Sequence, residues 1–419
     1  MDLLLHIGCE KTGTTSAQNW LHQNEEALRE RGIAYSRVFG RPNNRRICFY
    51  GLEAGTPDDQ LRRDGVTTAE QHAALQTQIA AEFAEEMAEA RRAGIRTYVI
   101  SNEHCHSRLK TPQSVQRTHD LLAPHFQKIS VHCFLRPQID MCLSLASTLS
   151  RNGSVIDRGW LDRELRPTNQ YYLFDDLLER WSAIYGREAI VPIGFRRTPD
   201  TVAYFEQVLG VADLALPRKP ASNTALDYRV IAIINAMSKN EKSEDAFEYV
   251  LRLFLNELPV EQRLTLDRYS AQAFQQRYMR SNVACCRSWP QIDIHDLRPD
   301  WSHYPQEGTI DRLHTADEVG PFIRHILDRM RLENAMEKAR RMSMTSEREW
   351  QAGRPEAALR ACREGLKFAT YAARVEGYRK PMEQVITRLE QRLRRWERMP
   401  AASRPDAPEE AGADEPADA

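Results

Sequence analysis

HIGCEKTGTTSAQNWL, residues 6–21, decides how this chain is read. The apolar run LLLHI, residues 3–7, enters the stretch and stops at Gly8. A short apolar run closed by glycine predicts a buried strand opening into a loop. Beyond the loop, Ala17, Trp20, Leu21, Asn24 and Leu28 recur at helical spacing until Gly32. Strand, glycine-bearing loop and helix form the arrangement in which helix-terminal N–H groups collect an anion. Gly8 and Gly13 are separated by four residues, as in a nucleoside-triphosphate loop. In that loop a lysine directly follows the second glycine, and a Ser or Thr behind it holds magnesium. Here Thr14 and Thr15 follow Gly13, and Lys11 lies inside the loop. The local alternative is a plain strand-to-helix turn with a solvated lysine.

Outward from this stretch the chain alternates strand and helix signals. Residues 36–68 hold Gly, Pro, Arg and Asp without steady period, apart from an apolar patch at Ile47 to Tyr50, and read as an excursion from the sheet. Ala69 to Arg92 is strongly helical, Gly94 ends it, and IRTYVIS, 95–101, is the next strand. A helix over 113–124, the strand ISVHCFL at 129–135 and the helix PQIDMCLSLASTLS follow, the last with proline at its first position, where a missing N–H does no harm. Tyr171 to Tyr185 is amphipathic, and AIVPIGF, 189–195, gives a fourth strand. Helices are expected at 199–209, 225–257 and around Ala271 to Ser281. The pattern predicts an α/β fold, a mostly parallel sheet covered by helices.

Beyond about residue 308 the strand signals end, and Val319 to Arg341 is rich in helix formers. AGRPEAALRACREGLKFA, 352–369, has the small-residue and leucine spacing of the second helix in a helix-turn-helix repeat, and resembles a degenerate tetratricopeptide unit without a detectable second copy. The division expected is an α/β domain over 1–308, a helical appendix over 309–398 and an acidic tail over 399–419, too poor in apolar residues to order.

The chain has 419 residues, 42% of them hydrophobic and 28% charged, with a net charge of −1. That balance gives no general reason to expect nucleic-acid binding. Eight cysteines without a C-x-x-C pair argue for neither a disulfide scaffold, structural zinc nor dithiol chemistry. No stretch reaches the ~20 apolar residues of a membrane span. Asp2 stands where a signal peptide would be basic, so a cytoplasmic chain is expected.

HIGCEKTGTTSAQNWL resembles the 5′-phosphosulfate loop of the bacterial sulfotransferase family, which uses 3′-phosphoadenosine 5′-phosphosulfate (PAPS). The family's Lys-x-Gly-Thr-Thr core follows its first strand, and Lys11, Gly13, Thr14 and Thr15 match it position by position, with Ser16 a further donor. The resemblance implies a P-loop-like sulfotransferase fold, PAPS as sulfuryl donor, and a lysine that stabilises the bridging oxygen as sulfate leaves. It also implies a second element, an arginine at the end of a later strand and a serine eight residues on, both gripping the 3′-phosphate. FLRPQIDMCLS supplies Arg136 and Ser144 at that offset. Arginine presents a planar fork suited to phosphate oxygens. Taken singly, Arg136 also reads as a surface arginine and Ser144 as a neutral helix residue. Weaker likeness runs through 171–195, 221–237 and 275–282, so the resemblance covers roughly residues 1–285. Arg218-Lys219-Pro220 does not reproduce the late Arg-Lys-Gly set of the cytosolic branch.

Sulfuryl transfer to a hydroxyl needs in-line placement, a cation on the leaving phosphate and a base for the acceptor proton. SNEHCHSR, 101–108, offers Glu103, His104 and His106 behind the 95–101 strand. Glu103 is the first choice because relatives place a Ser-x-Glu there, and its alternative is a salt bridge or cap. His104 follows, its near-neutral reference pKa suited to base work, and His106 is third. His6 reads as a buried strand residue. No metal is expected, since the His/Glu/His cluster lacks a third fixed ligand and a lysine with oriented amides can stabilise the leaving charge. The acceptor expected is a small molecule or carbohydrate hydroxyl, with a protein partner for the C-terminal helices. Two other classes stay open: a P-loop kinase or nucleotidase, and a non-catalytic scaffold.

Overall fold

The computed structural model describes residues 1–218, 225–240, 260–313 and 316–399. Part of the expected 225–257 helix and nearly all of the expected 399–419 tail lie outside the described residues.

The LLLHI run forms the middle of β1, Asp2–Gly8, buried along its length beyond Asp2. It is buried because it is central. β2 (Ile33–Tyr35), β3 (Thr97–Ser101), β4 (Ile129–Leu135) and β5 (Ile190–Gly194) complete a five-stranded sheet of order β2-β3-β1-β4-β5. Every pairing is parallel. Parallel strands covered on both faces lose the apolar–polar alternation of a half-exposed strand, which is why β1 and β4 read as near-continuous apolar runs. His6 stands beside Ser101 of β3 and His132 of β4, and the register shifts between His6 and Gly8.

Four of the five strands were expected, and β2 was not. At three residues, Ile33–Tyr35 is too short to show a period. The helix expected around Ala271 to Ser281 is two helices, Arg268–Gln276 and Met279–Ser288, separated at Arg277 and Tyr278. The 36–68 excursion carries two short helices, Arg46–Gly51 and Asp59–Arg63.

One face of the sheet is covered by α1, Thr14–Gln23, and by the Thr201–Val208 helix. Their Ala17, Trp20, Leu21, Val202 and Phe205 pack with Leu4 and Val99 from the strands. The Phe174–Tyr185 helix packs against β5, the Pro112–Leu122 helix and the Met279–Ser288 helix. Its Leu177, Leu178 and Trp181 are fully buried, the amphipathic face that the sequence displayed.

The chain divides into two compact units, Met1–His314 and Thr315–Ala419. In the second, the helices Ala316–Gln351, Pro355–Ala372 and Glu376–Glu397 share a core of small residues, including Ala339, Ala358, Ala369 and Ala372. Trp350 and Trp396 stack there with centroids 4.3 Å apart. Among the described residues no helix is long and apolar enough to cross a membrane.

Candidate functional site

Because all strands run parallel, β1, β3, β4 and β5 deliver their carboxyl ends to one edge of the sheet. β1 lies between β3 and β4: the chain builds β2 and β3 on one side of it, then crosses to β4 and β5 on the other. In open α/β sheets the crevice at such a switch point is where ligands bind. The Cys9–Gly13 loop, the Asn102–His104 turn and Arg136 all sit there, each directly after its strand.

Two glycines shape the loop. Gly8 has φ +106°, and a Cβ on it would come within 3.1 Å of the Glu103 carbonyl oxygen, so it brings the loop onto the Asn102–His104 turn. Gly13 has φ +78° and precedes α1 without a side-chain cap. A Cβ there would lie 3.1 Å from Thr201 Oγ1. Lys11 also adopts a left-handed backbone, with φ +66°, a conformation that costs a non-glycine residue about 1–2 kcal/mol.

Three of the loop's carbonyls are bound by side chains, one from within the loop and two from elsewhere. Thr12 Oγ1 donates to the Cys9 carbonyl at 2.6 Å, Arg136 to the Lys11 carbonyl at 2.6 Å, and Thr201 Oγ1 to the Gly13 carbonyl at 3.0 Å. The amides are the reverse. Among the described residues, the backbone N–H groups of Lys11, Thr12, Gly13, Thr14 and Thr15 donate to no protein acceptor. The helix begins to satisfy its own donors only at Ser16 and Ala17, both on the Gly13 carbonyl. Five successive free amides at a helix N-terminus make an anion cradle.

Lys11 and Arg136 add charge to it. Lys11 Nζ donates to Thr148 Oγ1 at 2.5 Å, and burial draws its pKa down while the Glu10 and Glu103 carboxylates pull it back up. Burial likewise lowers Arg136, which lies over the Phe195 ring at 5.4 Å. Ser144 sits in the second turn of the Gln138–Arg151 helix, half-buried, with its carbonyl accepting from Thr148 Oγ1 at 3.3 Å. Asp140, Ser144 and Thr148 are spaced four apart, so they form one stripe of that helix, leading from Arg136 to the hydroxyl bound to Lys11. Thr14 is buried, and Thr15 and Ser16 are half-buried.

Glu103 faces the same crevice and is held from two sides. Gln18 Nε2 donates to its Oε2 at 2.6 Å, and Asn43 Nδ2 lies 3.3 Å from both oxygens. His104 Nδ1 donates to Glu10 Oε1 at 3.2 Å, leaving its Nε2 3.9 Å from Glu103 Oε1. Burial alone would raise the Glu10 pKa, but the His104 hydrogen bond and charge, with Ser107, hold it well below the usual carboxylate range. Tyr171 OH donates to the second Glu10 oxygen at 3.3 Å. Glu103 and His104 are thus adjacent and separately anchored.

The other histidines are interior. His106 is buried, donates through Nε2 to the Tyr171 carbonyl at 2.8 Å, and is pushed down to about 4 by burial. His6 Nδ1 lies 2.8 Å from Ser101 Oγ between the rings of Phe134 and Phe205, and burial lowers it to about 3.

Sequence reading missed Glu10, Gln18, Asn43, Thr148 and Thr201. Gln18 carried a faint signal, one helical turn beyond Thr14 on the same face. The others reach the site only through tertiary contact.

No protein-family model matches the chain, and no curated protein matches it. A crystal structure of a sulfotransferase from Alicyclobacillus acidocaldarius aligns with 70% of this chain and 98% of its own, at 15% identity and a TM-score of 0.37. Likeness at that level decides neither fold nor function.

Proposed function

We propose that the first unit is a sulfotransferase that moves the sulfuryl group of PAPS onto a hydroxyl of a carbohydrate or similar metabolite. The observation that carries the reading is the loop itself, five free amides with Lys11 inside the turn and Arg136 bound to its backbone. The amides and the Thr14, Thr15 and Ser16 hydroxyls suit the donor's 5′-phosphate, and Arg136 with Ser144 suits its 3′-phosphate. In the transfer the acceptor oxygen forms a bond to sulfur while the bond from sulfur to the bridging oxygen breaks. The bisphosphate leaves with the electron pair, and Lys11 stabilises that developing charge. The acceptor proton goes to Glu103, with His104 3.9 Å away as the second group able to take it.

Calorimetric titration with 3′-phosphoadenosine 5′-phosphate, the product nucleotide, tests the reading. Binding is expected, weakened at least about tenfold in Lys11→Ala and in Arg136→Ala, as for loss of a charge-assisted contact. Equal affinity in wild type and both folded variants sinks the assignment, as does magnesium-dependent ATP turnover without response to this nucleotide.

A further inference from the structure

A cavity of about 380 Å³ is lined by Lys110, Trp160, Arg163, Glu164, Arg166 and the run Thr168 to Gln170. Its size falls in the range of small-molecule sites. We infer that this cavity is an acceptor subsite for an acidic saccharide, one bearing carboxylate or sulfate groups. The inference rests on the sulfotransferase reading for its role, and on the cavity alone for its ligand.

The cavity's charge comes first. Most arginines of the first unit whose partners are known pair with carboxylates, such as Arg158 with Asp267 and Asp311, and Arg218 with Glu206. Lys110, Arg163 and Arg166 do not; among the described residues their side chains form no ion pair. Arg166 Nε donates to the Arg163 carbonyl at 2.9 Å, which fixes its stem and leaves its outer nitrogens free. Glu164 brings one carboxylate to the lining, its Oε1 accepting from Tyr172 OH at 3.2 Å and from Asn169 Nδ2 at 3.3 Å, so it offsets one of the three cations. Three cations against one carboxylate leave this cavity with an excess of positive charge, in a chain with net charge −1, and that excess suits an anion. Two guanidinium forks match carboxylate or sulfate oxygens.

The remaining lining selects a sugar among anions. Trp160 supplies a flat apolar surface with a polar edge, suited to the C–H face of a pyranose. Thr168 and Gln170 offer a hydroxyl and an amide that have no side-chain partner among the described residues, and these suit ring hydroxyls. Asn169 is spent on structure, its Oδ1 accepting from the Tyr171 amide.

The cavity is also joined to the chemistry. Gln170 precedes Tyr171, whose hydroxyl binds the Glu10 carboxylate that holds His104. Lys110 follows the short His104–Arg108 helix. A saccharide seated by the cations would therefore lie along the two segments that anchor His104, the neighbour of the proposed base Glu103.

The test uses the full chain and four tetrasaccharide-sized probes: an oligogalacturonide, a sulfated cello-oligosaccharide, neutral cellotetraose and tetra-aspartate. Calorimetry is expected to show at least one acidic saccharide binding about tenfold more tightly than cellotetraose and tetra-aspartate. Lys110→Ala, Arg163→Ala and Arg166→Ala should each weaken it about threefold, as exposed charge contacts do. Trp160→Ala should weaken it further, and each variant should keep its melting profile and its affinity for 3′-phosphoadenosine 5′-phosphate. Tetra-aspartate or cellotetraose binding as tightly, or variants without effect, overturns the subsite. Failure of the nucleotide titration with saccharide binding intact instead overturns the sulfuryl-transfer reading and leaves the subsite standing.

Discussion

Replacing Gly13 by alanine probes the loop more sharply than removing its lysine, because no charge changes. The new Cβ meets two penalties. Its backbone, at φ +78°, is left-handed, which costs an L-residue about 1–2 kcal/mol. It also stands 3.1 Å from Thr201 Oγ1, a tight contact that Thr201 relieves by moving a few tenths of an ångström, which strains its 3.0 Å bond to the Gly13 carbonyl. A net hydrogen bond adds about 0.5–1.5 kcal/mol, giving roughly 2–3 kcal/mol in all. The chain can meet this by losing stability, or by relaxing the loop and disordering the amides. Urea unfolding of the first unit, followed together with calorimetric affinity for 3′-phosphoadenosine 5′-phosphate, captures both routes, whose losses should sum to about 2 kcal/mol or more. Thr201→Ala separates the terms. In that background Gly13→Ala should cost less by about 0.5–1.5 kcal/mol, the steric part, while the backbone part persists. Stability and affinity both within about 0.5 kcal/mol of wild type would refute the reasoning about how this turn is built.

Three further outcomes are expected. The buried His6, His106 and His132, lowered by burial to about 3, 4 and 4, refuse protons that the unfolded chain accepts below pH ~6.5. Stability is therefore intact above that pH and falls below it, by about 1.4 kcal/mol per histidine at pH 5.5, or about 4 kcal/mol together. Glu10, held low, adds to the loss only below its unfolded value, so an unchanged urea midpoint between pH 7.5 and 5.5 would contradict the histidine assignment. Glu103→Gln should cut sulfated-product formation from the acidic saccharides by about 10²–10⁴-fold with nucleotide affinity preserved. If His104→Asn alone produces that loss, the histidine is the base. In the second unit, Trp396→Ala removes a buried ring stacked on Trp350 and should destabilise that unit by about 3–5 kcal/mol in denaturant unfolding read by near-UV circular dichroism; a change under 1 kcal/mol would show that the stack contributes little.

What the sequence displayed depended on whether a residue's role is local. β4 was legible because a strand covered on both faces is mostly apolar, and only Ser130 and His132 interrupt the run. β2 was hidden because three residues carry no period. Lys11 and Gly13 stood out through spacing within one turn, and Arg136 through its place at a strand end. Thr148 could not be found this way, since it meets Lys11 across 137 residues and nothing around it differs from any other helical threonine. Asn43 lay in the irregular 36–68 excursion, where only the fold reveals that its amide reaches Glu103. Glu10 stood inside the motif yet was passed over, because its role is defined by His104 and Tyr171.

The pairing pattern of the Cys9–Gly13 loop has a consequence for selectivity. Its Cys9, Lys11 and Gly13 carbonyls are each taken by an internal donor, while its Lys11, Thr12 and Gly13 amides are left over. Backbone dipoles are normally neutral in sum, offering as many negative ends as positive ones. Here three of the negative ends are withdrawn into the protein, and the turn offers its surroundings more positive ends than negative ones. It sorts ligands by sign before it sorts them by shape, and it does so with atoms that no side-chain titration can switch off.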